Sequence, residues 1–275
     1  MGKNENFYIK EFIEYYIKLG VDHIFIYDDN EPNTENISDK IDKSFNKHIT
    51  IYKNFEDIKK SNDTPPIQPL IFTKCYDINK DKFDWFLMID MDEYLVIVKD
   101  KLKNYLSRKV FKKCDFIKIH WVQPTDNNLL HYDNRSLFER FKGPYKIDGH
   151  IKSIIRGHIQ DLKYMVHSPY ISPKNNITCN NIGEKLNYTK LDFEYIKKKK
   201  INIEKAYFIH FKYKSTEEYI NKFKRGYSHC YNNQTKIKNW RINEYFEDNE
   251  ITLEKIEYIE KELKLNLSKY KNQLK

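Results

Sequence analysis

The chain has 275 residues, enough for one substantial core with an appendage, and 15% are aromatic (22 Tyr and 17 Phe), which excludes a disordered polymer. No apolar run approaches the ~20 residues of a membrane-spanning helix, and residues 1–6 are too polar for a signal peptide, so the sequence predicts a soluble, cytoplasmic protein. The net charge of +9 raises nucleic acid as a partner, but the excess is mostly lysine in a chain with a single alanine, Ala206. Such a composition suits an AT-rich genome, microbial or that of a large DNA virus, and no specific nucleic acid is expected. Cys75, Cys114, Cys179 and Cys230 are far apart, show no CxxC spacing and read as reduced, packed thiols.

In chain order, Ile9, Phe12, Ile13, Tyr16 and Ile17 follow helical spacing up to Gly20. Residues 23–27 (HIFIY) form a strand that runs into Asp28, Asp29 and Asn30, a run that equally makes a turn. Ile37, Ile41 and Phe45 mark a second helix, and 49–52 a second strand. Beyond Pro65 and Pro66, Ile67, Leu70, Ile71 and Ile78 mark a third helix.

The organising stretch is FDWFLMIDMDEYLVIV at 83–98. Its apolar run reads as a buried strand of a parallel sheet and ends abruptly at Asp90, Asp92 and Glu93. If the strand continues through these acids, its period of two puts Asp90 and Asp92 on one side. Two carboxylates there repel unless a cation lies between them, and a divalent metal with oxygen ligands answers that need. Solvated acids at a strand end are the plainer alternative.

Further strands are predicted at 116–121, 150–156, 163–167 and 206–211, with a polar loop at 124–135 and a long surface loop at 168–192. Ser215 and Glu218 form a capping box that opens a helix ending at Gly226, and 251–270 reads as an outer amphipathic helix. The alternation of helices and strands predicts an α/β fold with a mainly parallel, Rossmann-type sheet.

Several of these pieces, in order over residues 3–226, resemble GT-A glycosyltransferases of the family 2-like and family 92-like group. They are KNE at 3–5, the strand ending YDDN at 27–30, Gln68, WFLMIDMDEYL at 85–95, FERF at 138–141, HIKSII at 150–155 and IHFKYKSTEEYINKFKRG at 209–226. The hydrophobic first strand that the family carries ahead of KNE has only Met1 and Gly2 as its counterpart here. The resemblance implies a GT-A-like domain over 1–226, divided into a nucleotide-sugar half at 1–122 and an acceptor half at 123–226, with a helical tail at 227–275.

It also implies roles. Asp92 would ligate Mn²⁺ or Mg²⁺, and Asp90 would meet the donor ribose or a metal-bound water, with Glu93 in support. Asp28 or Asp29 would accept from the base of a nucleotide-sugar donor, UDP-sugar foremost. His210 would complete the metal shell, with His167 as the rival ligand and a satisfied core histidine as the alternative. An inverting transfer to a hydroxyl of a glycan or glycoconjugate needs a general base. Asp126 is the candidate, with Asp133 behind it, against the turn role that both positions favour. Lys152 and Arg156 would meet donor phosphate or face solvent, and Lys224 and Arg225 carry the same two readings. A basic nucleic-acid module and an inactive relative are the competing functions.

Overall fold

The computed structural model describes residues 1–31, 33–53, 67–165, 167–170, 176–186, 201–226 and 234–274. The chain is a mixed α/β protein that divides into two compact units, residues 1–122 with 147–210, and residues 123–146 with 211–275.

In the first unit, α1 (Ile9–Leu19) buries Ile9, Phe12, Ile13 and Tyr16 and ends at Gly20, whose φ of 103° lets its N–H reach back to the last turn. β1 (Ile24–Tyr27) pairs parallel with β2 (Ile49–Tyr52). The helix predicted from Ile37, Ile41 and Phe45 is instead two short 3-10 turns, Ile37–Lys40 and Lys43–Phe45. Asp39 accepts from the Asn36 N–H and Asp42 from the Ser44 N–H, so acidic side chains restart the chain twice and no long helix runs through.

α2 (Ile67–Asn79) precedes β3 (Trp85–Leu87), and β4 (Glu93–Ile97) follows β3 through a turn. The strand therefore stops before Asp90, and the Glu93 N–H bonds the Asp90 carbonyl at 3.2 Å. α3 (Leu102–Leu106) leads to β5 (Phe116–Pro124) and β6 (Tyr145–Arg156). β7 (Lys163–Tyr164) and β8 (Pro169–Tyr170) form a small antiparallel pair, and β9 (Thr178–Asn180) and β10 (Ala206–His210) complete the set.

The larger sheet runs β3-β6-β5-β10-β4, with β9 against the start of β5. β10 is parallel to β5 but antiparallel to β4, and β3 is antiparallel to β6. The sheet is mixed, which corrects the mainly parallel, Rossmann-type sheet expected from the sequence. Parallel neighbours need a long crossover, usually a helix. The antiparallel pairs are instead between strands distant in the chain, β3 with β6 and β4 with β10.

β1 has β2 on one edge and, on the other, a single parallel rung with Gly2. The Gly2 N–H donates to the Tyr27 carbonyl at 3.0 Å and the Asp29 N–H to the Gly2 carbonyl at 2.9 Å. A cavity of about 500 Å³ lies between β1 and β3, lined among others by Phe12, Phe25, Phe72 and Phe86.

The register of β9 on β5 also joins Cys114 to Cys179 in a disulfide, with Cα atoms 5.9 Å apart. This corrects the expectation of reduced thiols: sheet register sets the pairing, and sequence spacing does not reveal it. Cys75 is a buried free thiol, and Cys230 lies outside the described residues.

The second unit gathers α4 (Leu137–Arg140), α5 (Thr216–Arg225), α6 (Gln234–Asp248), α7 (Leu253–Leu263) and α8 (Ser268–Lys271). α5 shares its core with α6, which lies beyond the boundary expected at 226. Tyr219 on α5 stacks on Tyr245 of α6 with ring centres 4.3 Å apart, and both share a core with Tyr213, Phe223 and Ile256. The helix predicted over 251–270 breaks at Lys264, which takes a positive φ of 53°. No helix among the described residues is long and apolar enough to cross a membrane.

Candidate active site

The β3–β4 turn carries Asp90 and Asp92, and other elements of the first unit close around them. Register places Lys152: Leu87 lies opposite Ile154, so Lys152 on β6 comes level with the residues just past β3. Its side chain is wholly buried, and Nζ sits 3.0 Å from Asp90 Oδ2 and 3.4 Å from Glu93 Oε2. Gln68, in the first turn of α2, donates its side-chain amide to the other oxygen, Asp90 Oδ1. The Asp90 N–H in turn donates to Glu93 Oε2 at 3.1 Å.

Burial alone would raise the Asp90 carboxyl and lower the Lys152 ammonium. Their mutual attraction outweighs that for both, holding Asp90 at about 2 and pushing Lys152 above its usual range. Glu93 goes the other way. Burial lifts it well above the ordinary carboxylate range; the Lys152 ammonium opposes that shift, and the charges of Asp90 and Asp92 add to it. The cluster is thus a carboxylate–ammonium pair with a second buried carboxyl beside it.

β10 sets His210 opposite Glu93, next to Asp92. His210 Nε2 lies 3.6 Å from Asp92 Oδ1, too long for a hydrogen bond but within reach of a shared cation. No group of three or more His, Cys, Asp or Glu among the described residues forms a ready-made metal cage. One oxygen and one nitrogen donor suit an ion that completes its shell with substrate phosphates and water, as Mg²⁺ and Mn²⁺ do beside one or two carboxylates. The donor set fits such an ion.

Trp121 on β5 gathers the histidines. Ring centres of His210, His150 and His167 lie 4.3, 5.1 and 5.1 Å from it, and Lys152 Nζ is 5.9 Å from its ring. His167, the rival ligand, meets Trp121 edge-on, and burial followed by the Lys152 charge holds it down at about 3. His150 pairs with Asp148 at 2.5 Å. The sequence offers no role for Trp121 or Asp148, and His150 enters there only as the head of the HIKSII stretch. Strand alternation offered a signal, because His150 and Lys152 share one face of β6.

Other predicted residues have local duties. Asp28 is buried and accepts from the N–H groups of Ile37 at 2.8 Å and Asn30 at 3.1 Å, which is the turn role. Asp29 follows it in the rung made with Gly2. Arg156 donates to the carbonyls of Cys114 and Phe111 and stacks over Trp85. Lys224 pairs with Glu262 at 2.7 Å.

Asp126 belongs to the second unit, where it is 1% exposed. Oδ1 accepts from Lys255 Nζ at 2.9 Å and the Asn128 N–H at 3.0 Å, and Oδ2 from the Tyr245 hydroxyl at 2.5 Å. Asp133 accepts from Arg135, whose hydrogen bonds hold it at about 2. The structure thus brings Asp90, Asp92, Glu93, Lys152, His167 and His210 together in the first unit and engages Asp126 within the second.

The model of one family, described as Glycosyltransferase family 92, matches residues 1–253. No curated protein matches the chain.

Proposed function

The chain belongs to glycosyltransferase family 92, and from that premise we propose that it moves a sugar from a nucleotide-diphosphate donor, a UDP-sugar, to a hydroxyl of a glycan or glycoconjugate, with inversion and with Mn²⁺ or Mg²⁺. The observation that carries this reading is the Asp92–His210 pair, 3.6 Å apart beside the Asp90–Lys152 pair. Asp92 and His210 hold the ion in this reading. When bound, the ion would supply the positive charge that offsets the diphosphate leaving group.

The remaining roles follow from what each side chain already touches. Asp90 keeps a third of its side chain exposed while Lys152 and Gln68 hold its oxygens, so it orients a donor hydroxyl by accepting from it. Lys152 is buried and paired twice, and its duty is to keep Asp90 ionised, in place of the phosphate contact expected from sequence. Asp126 has donors on both oxygens, and a carboxylate so occupied is a poor proton acceptor. Its proposed duty is to hold the second unit together.

Release of UDP from a panel of UDP-sugars, measured with and without Mn²⁺, tests the reading. Release that appears only with Mn²⁺ is the expected result. If Mn²⁺ promotes neither release nor UDP binding, the metal-dependent transferase is ruled out.

A further inference from the structure

Asp90 is gripped from two sides by elements remote from it in sequence, by Gln68 of α2 at Oδ1 and by Lys152 of β6 at Oδ2. A carboxylate held at one oxygen by an ammonium still turns about its last side-chain bond, because that torsion is broad. A second donor fixed on the other oxygen removes the freedom. We propose that Gln68 is a positioning residue of the donor site, which sets the plane of the Asp90 carboxylate so that its exposed edge faces the donor. The inference rests on the transferase reading above.

The residue type fits this duty. Gln68 is 7% exposed, so its amide is committed indoors, and it stands in the first turn of α2, where the helix fixes its origin. A neutral donor leaves the charge balance of the cluster to Lys152. A second ammonium there would over-neutralise Asp90, and a carboxylate would repel it. Asparagine, one methylene shorter, falls short of Oδ1 from the same helix position.

The test is a double-mutant cycle. Wild type, Gln68→Ala, Asp90→Asn and the double variant are titrated calorimetrically with UDP in the presence of Mn²⁺, and each is melted without ligand. If Gln68 acts through Asp90, Gln68→Ala weakens UDP binding about tenfold, and the double variant binds no worse than Asp90→Asn alone. Gln68→Glu, similar in shape but charged, weakens binding further than Gln68→Ala. A role in helix packing alone moves the melting temperature and leaves UDP affinity where it was. Losses that multiply in the double variant, or wild-type affinity in Gln68→Ala, overturn the inference while the transferase reading stands. A wild-type chain that binds no UDP with Mn²⁺ overturns both.

Discussion

Asp92 Oδ1 and His210 Nε2 stand 3.6 Å apart, one on the turn after β3 and the other at the end of β10. The antiparallel register of β10 on β4 creates this relationship, since His210 lies opposite Glu93. Any ion shared by the two side chains therefore depends on strand pairing as much as on the acids themselves.

Asp92→Asn keeps the side chain's shape and removes the charge that a hard cation requires. Mn²⁺-dependent UDP release should fall by roughly 100-fold or more, on the scale set by outer-shell changes at metal sites. The melting temperature should hold or rise, because repulsion with Asp90 is relieved. Asp84→Asn, exposed and just ahead of β3, is the control and should leave release unchanged. Full release by Asp92→Asn with the same Mn²⁺ response would take the metal away from this turn.

Lys152→Met strands the Asp90 carboxylate without its buried partner. Breaking a buried pair from one side costs about 3–5 kcal/mol. The lower end applies here, because a third of the Asp90 side chain meets solvent. Adding Asp90→Asn should recover much of the loss. Urea unfolding of the wild type and the two variants measures both effects, and a neutral Lys152→Met would show that the pair does not hold the turn.

His120 on β5 is 2% exposed, and neither ring nitrogen has a hydrogen-bond partner among the described residues. Burial holds it down at about 4, with the Asp148 charge opposing. The unfolded chain, with an ordinary imidazole near 6.5, takes up the proton first. Stability from neutral His120 is thus fully present above about pH 6.5 and lost as pH falls toward 4. The loss is at most on the order of 3 kcal/mol. His120→Phe should flatten the acid side of the stability profile by that amount, read from urea midpoints between pH 7 and 4. An unchanged slope would locate the acid sensitivity elsewhere.

Asp126→Asn should destabilise the second unit by about 3–5 kcal/mol, because Lys255, itself 1% exposed, loses its buried counter-charge. Lys255→Met in the same chain should restore part of it. Below the lowered melting temperature, UDP release should remain close to wild type. A large loss of release with little change in melting would return Asp126 to the role of general base.

Local pattern made much of the fold legible. α1 and α5 follow from apolar spacing with a glycine stop and a capping box, and β1, β2, β5 and β10 from short apolar runs. What the sequence hides is long-range pairing. The direction of β4 against β10, the place of β9 and the Cys114–Cys179 bond all depend on register that no local stretch carries. Within the helical tail expected at 227–275 no local pattern marks α6, because its apolar positions are too few to mark a face: Ile242, Tyr245 and Phe246 meet α5 inside a shared core. At the site, the acids of the β3–β4 turn stood out as a charge break after an apolar run. Gln68 entered only as a piece of the family resemblance, without a role, and Trp121 not at all, since a tryptophan in a strand looks ordinary until His210 lies beside it.

The Cys114–Cys179 bond turns residues 114–179 into a covalent ring, and that ring contains 123–146, the part of the second unit that lies between two stretches of the first. A protease that cuts inside it, for example near the exposed Tyr132, Asn134 and Arg135, produces two polypeptides but still one molecule. Such a nick passes unseen on a non-reducing gel and appears as two bands only after reduction. At that stretch the chain's continuity is secured by sulfur as well as by the backbone.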